Sequence, residues 1–160
     1  MADASLYCTF RIAGQLYGVP VDDVQEVLLG QPLTRVPLAP VAVVGLINLR
    51  GQIVNAIDMR RVLDLDACAD PGEQMNVVLR GDGTPVSLLV DDISDIIAPA
   101  KPVEDTPDTL RLQLRNFVSG VIQLEQALLL VLDITRILDD ASCMQSPTVS
   151  TIAHQQIAAR

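Results

Sequence analysis

The chain contains almost no aromatic residues, a single lysine and no long hydrophobic run, and each shortage excludes a class of protein. Phe, Trp and Tyr make up 2% of the 160 residues, so aliphatic side chains must fill the interior of a chain that is 49% hydrophobic. One lysine, Lys101, and a net charge of −9 leave no basic stripe that would neutralise phosphates, so no nucleic-acid partner is expected. The longest aliphatic run, residues 127–132, is far shorter than the roughly 20 residues that span a bilayer, so no direct membrane insertion is expected.

Targeting and disulfide signals are also missing from the sequence. Residues 1–5 hold no basic cluster and no apolar stretch follows them, so we expect no signal peptide and a cytoplasmic location. Cys8, Cys68 and Cys143 are far apart and form no CxxC pair. They are predicted to be reduced thiols in a reducing compartment.

The residues that catalysis requires are scarce. The only histidine, His154, lies near the C-terminus, so neither a Ser-His-Asp triad nor a Cys-His pair can be built on a core histidine. The sequence also has no glycine-rich phosphate loop. We interpret the acidic pairs Asp22-Asp23 and Asp91-Asp92 as turn residues, with metal binding and partner contact as alternatives. No enzymatic activity, no cofactor and no metal site is predicted.

An internal repeat dominates the chain. Residues 43–63 read VVGLINLRGQIVNAIDMRRVL, residues 118–138 read VSGVIQLEQALLLVLDITRIL, and the two align without a gap at an offset of 75. Seven of the 21 pairs are identical: Val43/Val118, Gly45/Gly120, Ile47/Ile122, Leu49/Leu124, Asp58/Asp133, Arg61/Arg136 and Leu63/Leu138. The clearest change in chemistry is central, where Asn48-Leu49-Arg50-Gly51 is replaced by Gln123-Leu124-Glu125-Gln126. A duplicated scaffold with one altered tip separates the requirements of fold from those of function.

The repeat extends upstream, and its local pattern is that of short strands. Residues 21–27 match residues 90–96 at an offset of 69, so the second copy has six additional residues, which we place in the Pro- and Asp-rich segment 99–107. Asp58 and Asp133 are expected to cap short helices. Apolar alternation between turn signals predicts strands at 7–12, 16–21, 46–49, 52–57, 77–79, 86–90, 121–124 and 128–132. Many short strands indicate an all-β barrel or sandwich.

Arg50 lies at the altered tip, before a glycine that can adopt positive φ. It is either a solvated turn arginine or a partner contact, and the residues alone leave both interpretations open. The scaffold does not require arginine here, because Glu125 takes its place in the second copy. Arginine is enriched at binding surfaces, where its forked donors and planar group form specific contacts.

The residues around Arg50 resemble those of a known family. The run of residues 45–54, GLINLRGQIV, followed by Ile57-Asp58-Met59-Arg60, resembles the signature of the CheW-like domain family. The supporting segments are residues 17–21, 24–27, 34–37 and 89–93, and the similarity runs from about residue 6 to about residue 140. Asn55 stands where the family usually has proline, which is expected to loosen the strand slightly.

The resemblance implies a mainly β fold of two SH3-like five-stranded β-barrels related by a pseudo-two-fold, with short helices. It implies a single domain over residues 6–140, with repeat copies at about 6–66 and 75–140 and the first strand joined to the second lobe. The tail, residues 141–160, either forms a marginal helix over 152–160 or frays.

The function that the resemblance implies is a non-enzymatic adaptor. Such a protein couples the cytoplasmic tip of methyl-accepting chemoreceptors to the regulatory domain of the histidine kinase CheA, in the cytoplasm and recruited to membrane-associated arrays. Matching residues give Asn48, Arg50 and Gly51, with Val24 and Glu26 nearby, as receptor-binding candidates, and Val27, Leu28 and Val36 as kinase-binding candidates. The alternatives are a scaffold of a non-flagellar pathway, such as type IV pilus or surface sensing, and a fragment of a larger signalling protein.

Overall fold

The structure is a computed structural model, and it describes residues 5–37, 42–68, 73–81 and 84–144. The strands within these residues are β1 (Tyr7–Ile12), β2 (Gln15–Pro20), β3 (Val24–Leu28), β4 (Val43–Leu49), β5 (Gln52–Asp58), β6 (Met75–Leu79), β7 (Val86–Val90), β8 (Asp92–Ile97), β9 (Val118–Gln123) and β10 (Leu128–Leu132). The helices are α1 (Met59–Val62), α2 (Leu112–Arg115) and α3 (Ile134–Met144), and a 3-10 turn covers Val21–Asp23. The predicted strands are all present, and three of them have the predicted bounds.

The ten strands form two five-stranded sheets whose strand orders are equivalent. The first sheet has the order β3-β6-β7-β5-β4, and the second has the order β8-β1-β2-β10-β9. Each order becomes the other when the five strands of one repeat copy are exchanged for those of the other. Each sheet therefore combines strands from both copies, and β1 joins the second sheet as expected, together with β2.

The pairing registers obey the same exchange. In the first sheet Asn55 of β5 pairs in parallel with Val86 of β7, and in the second Leu130 of β10 pairs in parallel with Tyr17 of β2. Asn55 and Leu130 are equivalent at the offset of 75, and Tyr17 and Val86 are equivalent at the offset of 69. Asn55 also pairs with Leu46 on its other side, so the residue that replaces proline is held within the ladder.

Two equivalent bridges limit where the six additional residues of the second copy can lie. Isolated bridges join Thr34 to Leu46 and Glu104 to Val121, and the two bridges are equivalent in the repeat. The second loop is five residues longer than the first between its bridge partners, so five of the six additional residues follow Glu104. These five residues lie between Glu104 and Val121, a range that includes the end of the predicted segment 99–107.

Three groups of buried side chains hold the sheets together. The largest lies between the two sheets and draws on both, with Phe10, Tyr17, Ile57 and Leu88 fully or almost fully buried. Two smaller clusters each belong to one sheet, and five of their positions correspond in the repeat: Leu28/Ile97, Ile47/Ile122, Leu49/Leu124, Val54/Leu129 and Ala56/Val131. Aliphatic side chains therefore make up most of all three interiors, as the composition requires, and the four aromatic residues are buried among them.

The repeated glycines are explained by a close approach of backbones. A Cβ atom on Gly45 would lie 2.6 Å from the carbonyl oxygen of Thr34, and one on Gly120 would lie 2.8 Å from that of Glu104. Thr34 and Glu104 form the isolated bridges to Leu46 and Val121, the residues that follow the two glycines. Only glycine leaves room for them.

The repeated Asp–Arg pairs are explained by helix capping, as predicted. Asp58 accepts a hydrogen bond from the Arg60 backbone N–H at 3.0 Å, and Asp133 accepts one from the Arg136 backbone N–H at 3.2 Å. Each aspartate also pairs with the arginine three residues on, Arg61 in the first copy and Arg136 in the second. The helix after Asp133 continues to Met144, whereas residues 145–160, with the predicted helix and His154, lie outside the described residues.

One carboxylate ties the two sheets at their junction. Asp91 lies where the chain passes from β7 in the first sheet to β8 in the second. Its carboxylate accepts from Nε of Arg60 at 2.9 Å and from the backbone N–H of Ala13, in the β1–β2 turn, at 2.8 Å. The hydrogen bond from Arg60 lowers the pKa of the Asp91 carboxyl, although partial burial acts in the opposite direction. Asp91 thus joins α1, the crossover and the β1–β2 turn.

Candidate partner-binding site

The tip of the β4–β5 hairpin is a two-residue turn that carries an arginine in an unusual backbone conformation. Leu49 pairs with Gln52, which leaves Arg50 and Gly51 as the turn. Both have positive φ, +54° for Arg50 and +86° for Gly51, the signs of a type I′ turn. Glycine at the second position was predicted. The left-handed Arg50 was not, because asparagine, aspartate or glycine normally occupies the first position.

The side chain of Asn48 closes this turn. Its Oδ1 atom accepts a hydrogen bond from the backbone N–H of Gly51 at 2.9 Å. Asn48 lies on the outer side of the hairpin and is exposed, whereas its neighbours Ile47 and Leu49 point inward and are buried. The alternation of β4 therefore places the amide where it can reach the turn.

The Arg50 guanidinium reaches back to the edge of its own sheet. Its Nη2 atom lies 3.0 Å from Oε1 of Glu26 on β3. The Arg50 side chain is 78% exposed and that of Glu26 only 15% exposed, so the acid anchors a guanidinium that remains open to solvent. Because β3 and β4 are the two edge strands of this sheet, the contact requires the sheet to curl until its ends approach each other. The structure thus joins Asn48, Arg50, Gly51 and Glu26 in one site.

The equivalent tip of the second sheet is built differently. Glu125 and Gln126 replace Arg50 and Gly51, and neither has positive φ. Asp95 occupies the position of Glu26. The second sheet therefore has two acidic residues, Asp95 and Glu125, at the positions of the Glu26–Arg50 ion pair. The amide oxygen of Gln123, at the Asn48 position, lies 3.5 Å from Lys101 Nζ instead of closing the turn.

The remaining candidates divide between the two faces of β3. Along β3, Glu26 and Leu28 are half-buried and alternate with exposed residues, of which Val27 is 39% exposed. Leu28 packs against the small cluster of the first sheet, and Val24 packs against the central core. Leu28 and Val24 therefore have structural roles, Val36 is half-buried, and Val27 is the accessible kinase-binding candidate.

Two exposed aliphatic residues near these candidates were missed by sequence reasoning. Leu29, which follows β3, is 73% exposed, and Ile53, opposite Asn48 in the hairpin, is 58% exposed. Leu29 continues the alternation that exposes Val27 on the edge strand, a signal that the sequence contains. Ile53 cannot be distinguished from a core residue by composition alone.

The turn interpretation holds for Asp22 and Asp23 and for Asp91, whereas Asp92 is the first residue of β8. Val21, Asp22 and Asp23 form the 3-10 turn before β3, and Asp91 is the junction residue described above. Within the described ranges, no group of three or more His, Cys, Asp or Glu side chains is arranged to hold a metal ion. None of the helices in the described part of the chain has the length and apolarity needed to cross a membrane.

An exposed, anchored arginine on a duplicated β scaffold is the arrangement expected of a protein-docking module. The comparison with protein families agrees with this class, since the model of the CheW-like domain matches residues 6–142. The chain belongs to the CheW-like domain family.

Curated relatives and a solved structure support the assignment. The chain is 30% identical to the chemotaxis protein CheW of Rhizobium meliloti (strain 1021) over 126 residues, which cover 78% of this chain and 81% of the relative. It is 27% identical to the chemotaxis protein CheW of Bacillus subtilis (strain 168) over 134 residues, which cover 83% of this chain and 86% of the relative. The crystal structure of the scaffolding protein TtCheW from Thermoanaerobacter tengcongensis matches with a TM-score of 0.72 and 24% identity, over 81% of this chain and 88% of that chain. At that identity the structural match shows the fold.

Proposed function

We propose that this protein is a non-enzymatic adaptor that couples chemoreceptors to the histidine kinase CheA. Membership of the CheW-like domain family and similarity to proteins named chemotaxis protein CheW support this function. The observation that carries it is the anchored but exposed Arg50 at a tip that the second repeat copy does not share. The protein acts in the cytoplasm and joins membrane-associated receptor arrays through its partners.

The receptor surface is centred on Arg50. Glu26 uses one side of the guanidinium, and the 78% exposure of the Arg50 side chain leaves further donors for a receptor oxygen. Ile53 supplies an apolar neighbour on the same hairpin, so the surface combines a charged centre with aliphatic area. Interfaces of this composition are specific and reversible.

The kinase surface lies on the outer face of β3, with Val27 as its accessible member. Glu26 and Val27 are consecutive residues of a strand, so their side chains point to opposite faces. One edge strand therefore separates the receptor surface from the surface for the regulatory domain of CheA. An adaptor with two such faces raises the effective concentration of each partner near the other without changing its own shape.

The two sheets act as SH3-like barrels in this proposal. The approach of β3 to the β4–β5 tip, through Glu26 and Arg50, supports closure of the first sheet. The bridge from Glu104 to Val121, equivalent to that from Thr34 to Leu46, supports the same curl in the second. Closure protects the edge strands from unspecific pairing.

A binding assay with two separate partners tests the proposal. Purified protein is titrated against the regulatory domain of the chemotaxis kinase and, separately, against a cytoplasmic receptor fragment. The adaptor function predicts saturable binding to both, and Arg50→Glu is expected to abolish receptor binding alone. Binding to neither partner by the folded protein would contradict the proposal.

A further inference from the structure

The Asn48 side chain closes the turn as a hydrogen-bond acceptor and not as a donor. Its Oδ1 atom lies 2.9 Å from the Gly51 backbone nitrogen, so the side chain spans the two residues whose φ angles are positive. Glycine adopts this region freely, but the left-handed conformation is unfavourable for an L-residue such as Arg50. A bond that exists only while the turn is formed offsets part of this cost.

We propose that Asn48 is a positioning residue, which holds Arg50 in the left-handed conformation and so keeps its guanidinium beside Glu26 before any partner binds. The proposal rests on the proposed function, because it takes Arg50 as the residue that contacts the receptor. It assigns the contact to the arginine and the preorganisation of that contact to the asparagine.

The second tip of the same chain provides an internal comparison. Gln123 occupies the position of Asn48 with one more methylene group, and its amide oxygen lies near Lys101 Nζ rather than at the turn. Neither Glu125 nor Gln126 at that tip has positive φ. The two hairpins thus have equivalent register, but the left-handed turn occurs only in the hairpin with Asn48 and not in the one with Gln123.

The expected effect of an Asn48 substitution on receptor binding follows from the fraction of molecules whose turn holds Arg50 in the left-handed conformation, here called the competent turn. When only a fraction of the molecules holds Arg50 in place, the apparent dissociation constant rises by the inverse of that fraction. If Asn48→Gln leaves about a tenth of the molecules in the competent turn, receptor binding weakens about tenfold. The loss is expected to be smaller than that of Arg50→Glu, which removes the contact itself.

Two substitutions at Asn48 separate positioning from direct contact. Asn48→Gln, which copies the second tip, moves the acceptor away from Gly51, whereas Asn48→Asp keeps a short acceptor and removes the amide donors. The first readout needs no partner: the exchange rate of the Gly51 amide and the φ-dependent coupling of Arg50, measured by NMR. The second readout is the affinity for the cytoplasmic receptor fragment.

Asn48→Gln is expected to speed exchange at Gly51, shift the Arg50 coupling and weaken receptor binding about tenfold. Asn48→Asp is expected to keep all three within about twofold, because the acceptor remains. Unchanged Gly51 exchange and Arg50 coupling in Asn48→Gln would overturn the inference at any affinity. Loss of binding by Asn48→Asp with Gly51 still protected would overturn it too, since the amide donors would then be the contact. Full receptor binding by Arg50→Glu would instead refute the proposed function, and the NMR readout would still decide the role of Asn48.

Discussion

Arg50 and Glu26 meet at 3.0 Å although 24 residues of chain and the full width of a sheet separate them. The acid belongs to one edge strand, and the arginine lies at the tip of the hairpin that forms the other edge. The contact therefore combines two roles, since it draws the ends of the sheet together and fixes an exposed guanidinium. These roles can be separated by substitution.

Arg50→Asn is expected to preserve the fold and abolish receptor binding. Asparagine suits the first position of a type I′ turn, which offsets part of the lost ion pair. Because the Glu26 side chain is only 15% exposed and loses its partner, the free energy of unfolding is expected to fall by about 1 kcal/mol. Urea unfolding and titration with a receptor fragment measure the two effects. A variant that binds as wild type would show that Arg50 is only a turn residue.

Gly45→Ala is expected to destabilise the chain by about 3 kcal/mol, the upper part of the range for overpacked sites. The added methyl group would lie 2.6 Å from the carbonyl oxygen of Thr34, so backbone would have to move. Gly18→Ala is the matched control, because its Cβ would meet only the flexible end of Leu129 at 3.0 Å. Thermal unfolding of both variants tests the close approach, and equal stabilities would count against it.

Asp91→Asn is expected to change how stability depends on pH. The hydrogen bond from Arg60 lowers the Asp91 pKa in the folded chain, whereas the unfolded carboxyl titrates near about 3.9. The contribution of Asp91 is therefore complete above the unfolded pKa and is lost as the pH falls through the lower, folded pKa. We expect a deficit of about 2 kcal/mol at neutral pH that begins to shrink below about pH 4 and disappears below the folded pKa.

Urea unfolding across that pH range measures the deficit. Asp108→Asn serves as the control, because the Asp108 side chain is 96% exposed in its pair with Arg115. Such an exposed pair is expected to make no measurable difference at any pH. A deficit in Asp91→Asn that stays constant from neutral to acid pH would contradict the coupling between Asp91 and Arg60.

Val27→Asp is expected to weaken binding of the kinase regulatory domain and to leave the fold intact. The side chain is 39% exposed on an edge strand, so the new charge stays in water in the free protein and is desolvated at the interface. Ile96→Asp is the control, because Ile96 is the equivalent residue of the second sheet and is 61% exposed. Calorimetric titration distinguishes the variants, and equal losses in both would remove β3 from the kinase surface.

Much of the fold could be predicted because its signals are local or repeated. Tyr7–Ile12 and Leu128–Leu132 are strands with the predicted bounds, since alternation and flanking turns define them. The capping roles of Asp58 and Asp133 followed from their position before an aliphatic spacing of three to four. Repetition added the expectation that both halves would have equivalent strands, which the two sheet orders confirm.

The rest depends on contacts between residues that are distant in sequence. Arg60 and Asp91 are 31 residues apart, and only the crossover between the sheets brings them together. The left-handed Arg50 was not predictable, because local preference favours other residues there and the tertiary contact with Glu26 comes from another strand. The same limit applies to Leu28, whose aliphatic character fits a partner surface and a small core equally well until its packing is known.

The most direct test of the adaptor function measures whether the protein carries the kinase to receptors. Receptor-containing membranes, CheA and the protein are mixed and sedimented, with Arg50→Glu compared against Glu125→Arg, the reverse exchange at the equivalent tip. If Arg50 forms the receptor contact, wild type and Glu125→Arg bring CheA into the pellet. Arg50→Glu then leaves CheA in the supernatant while still binding it. Recovery of CheA in the pellet with Arg50→Glu, at the wild-type level, would show that the protein does not couple receptor and kinase through this tip.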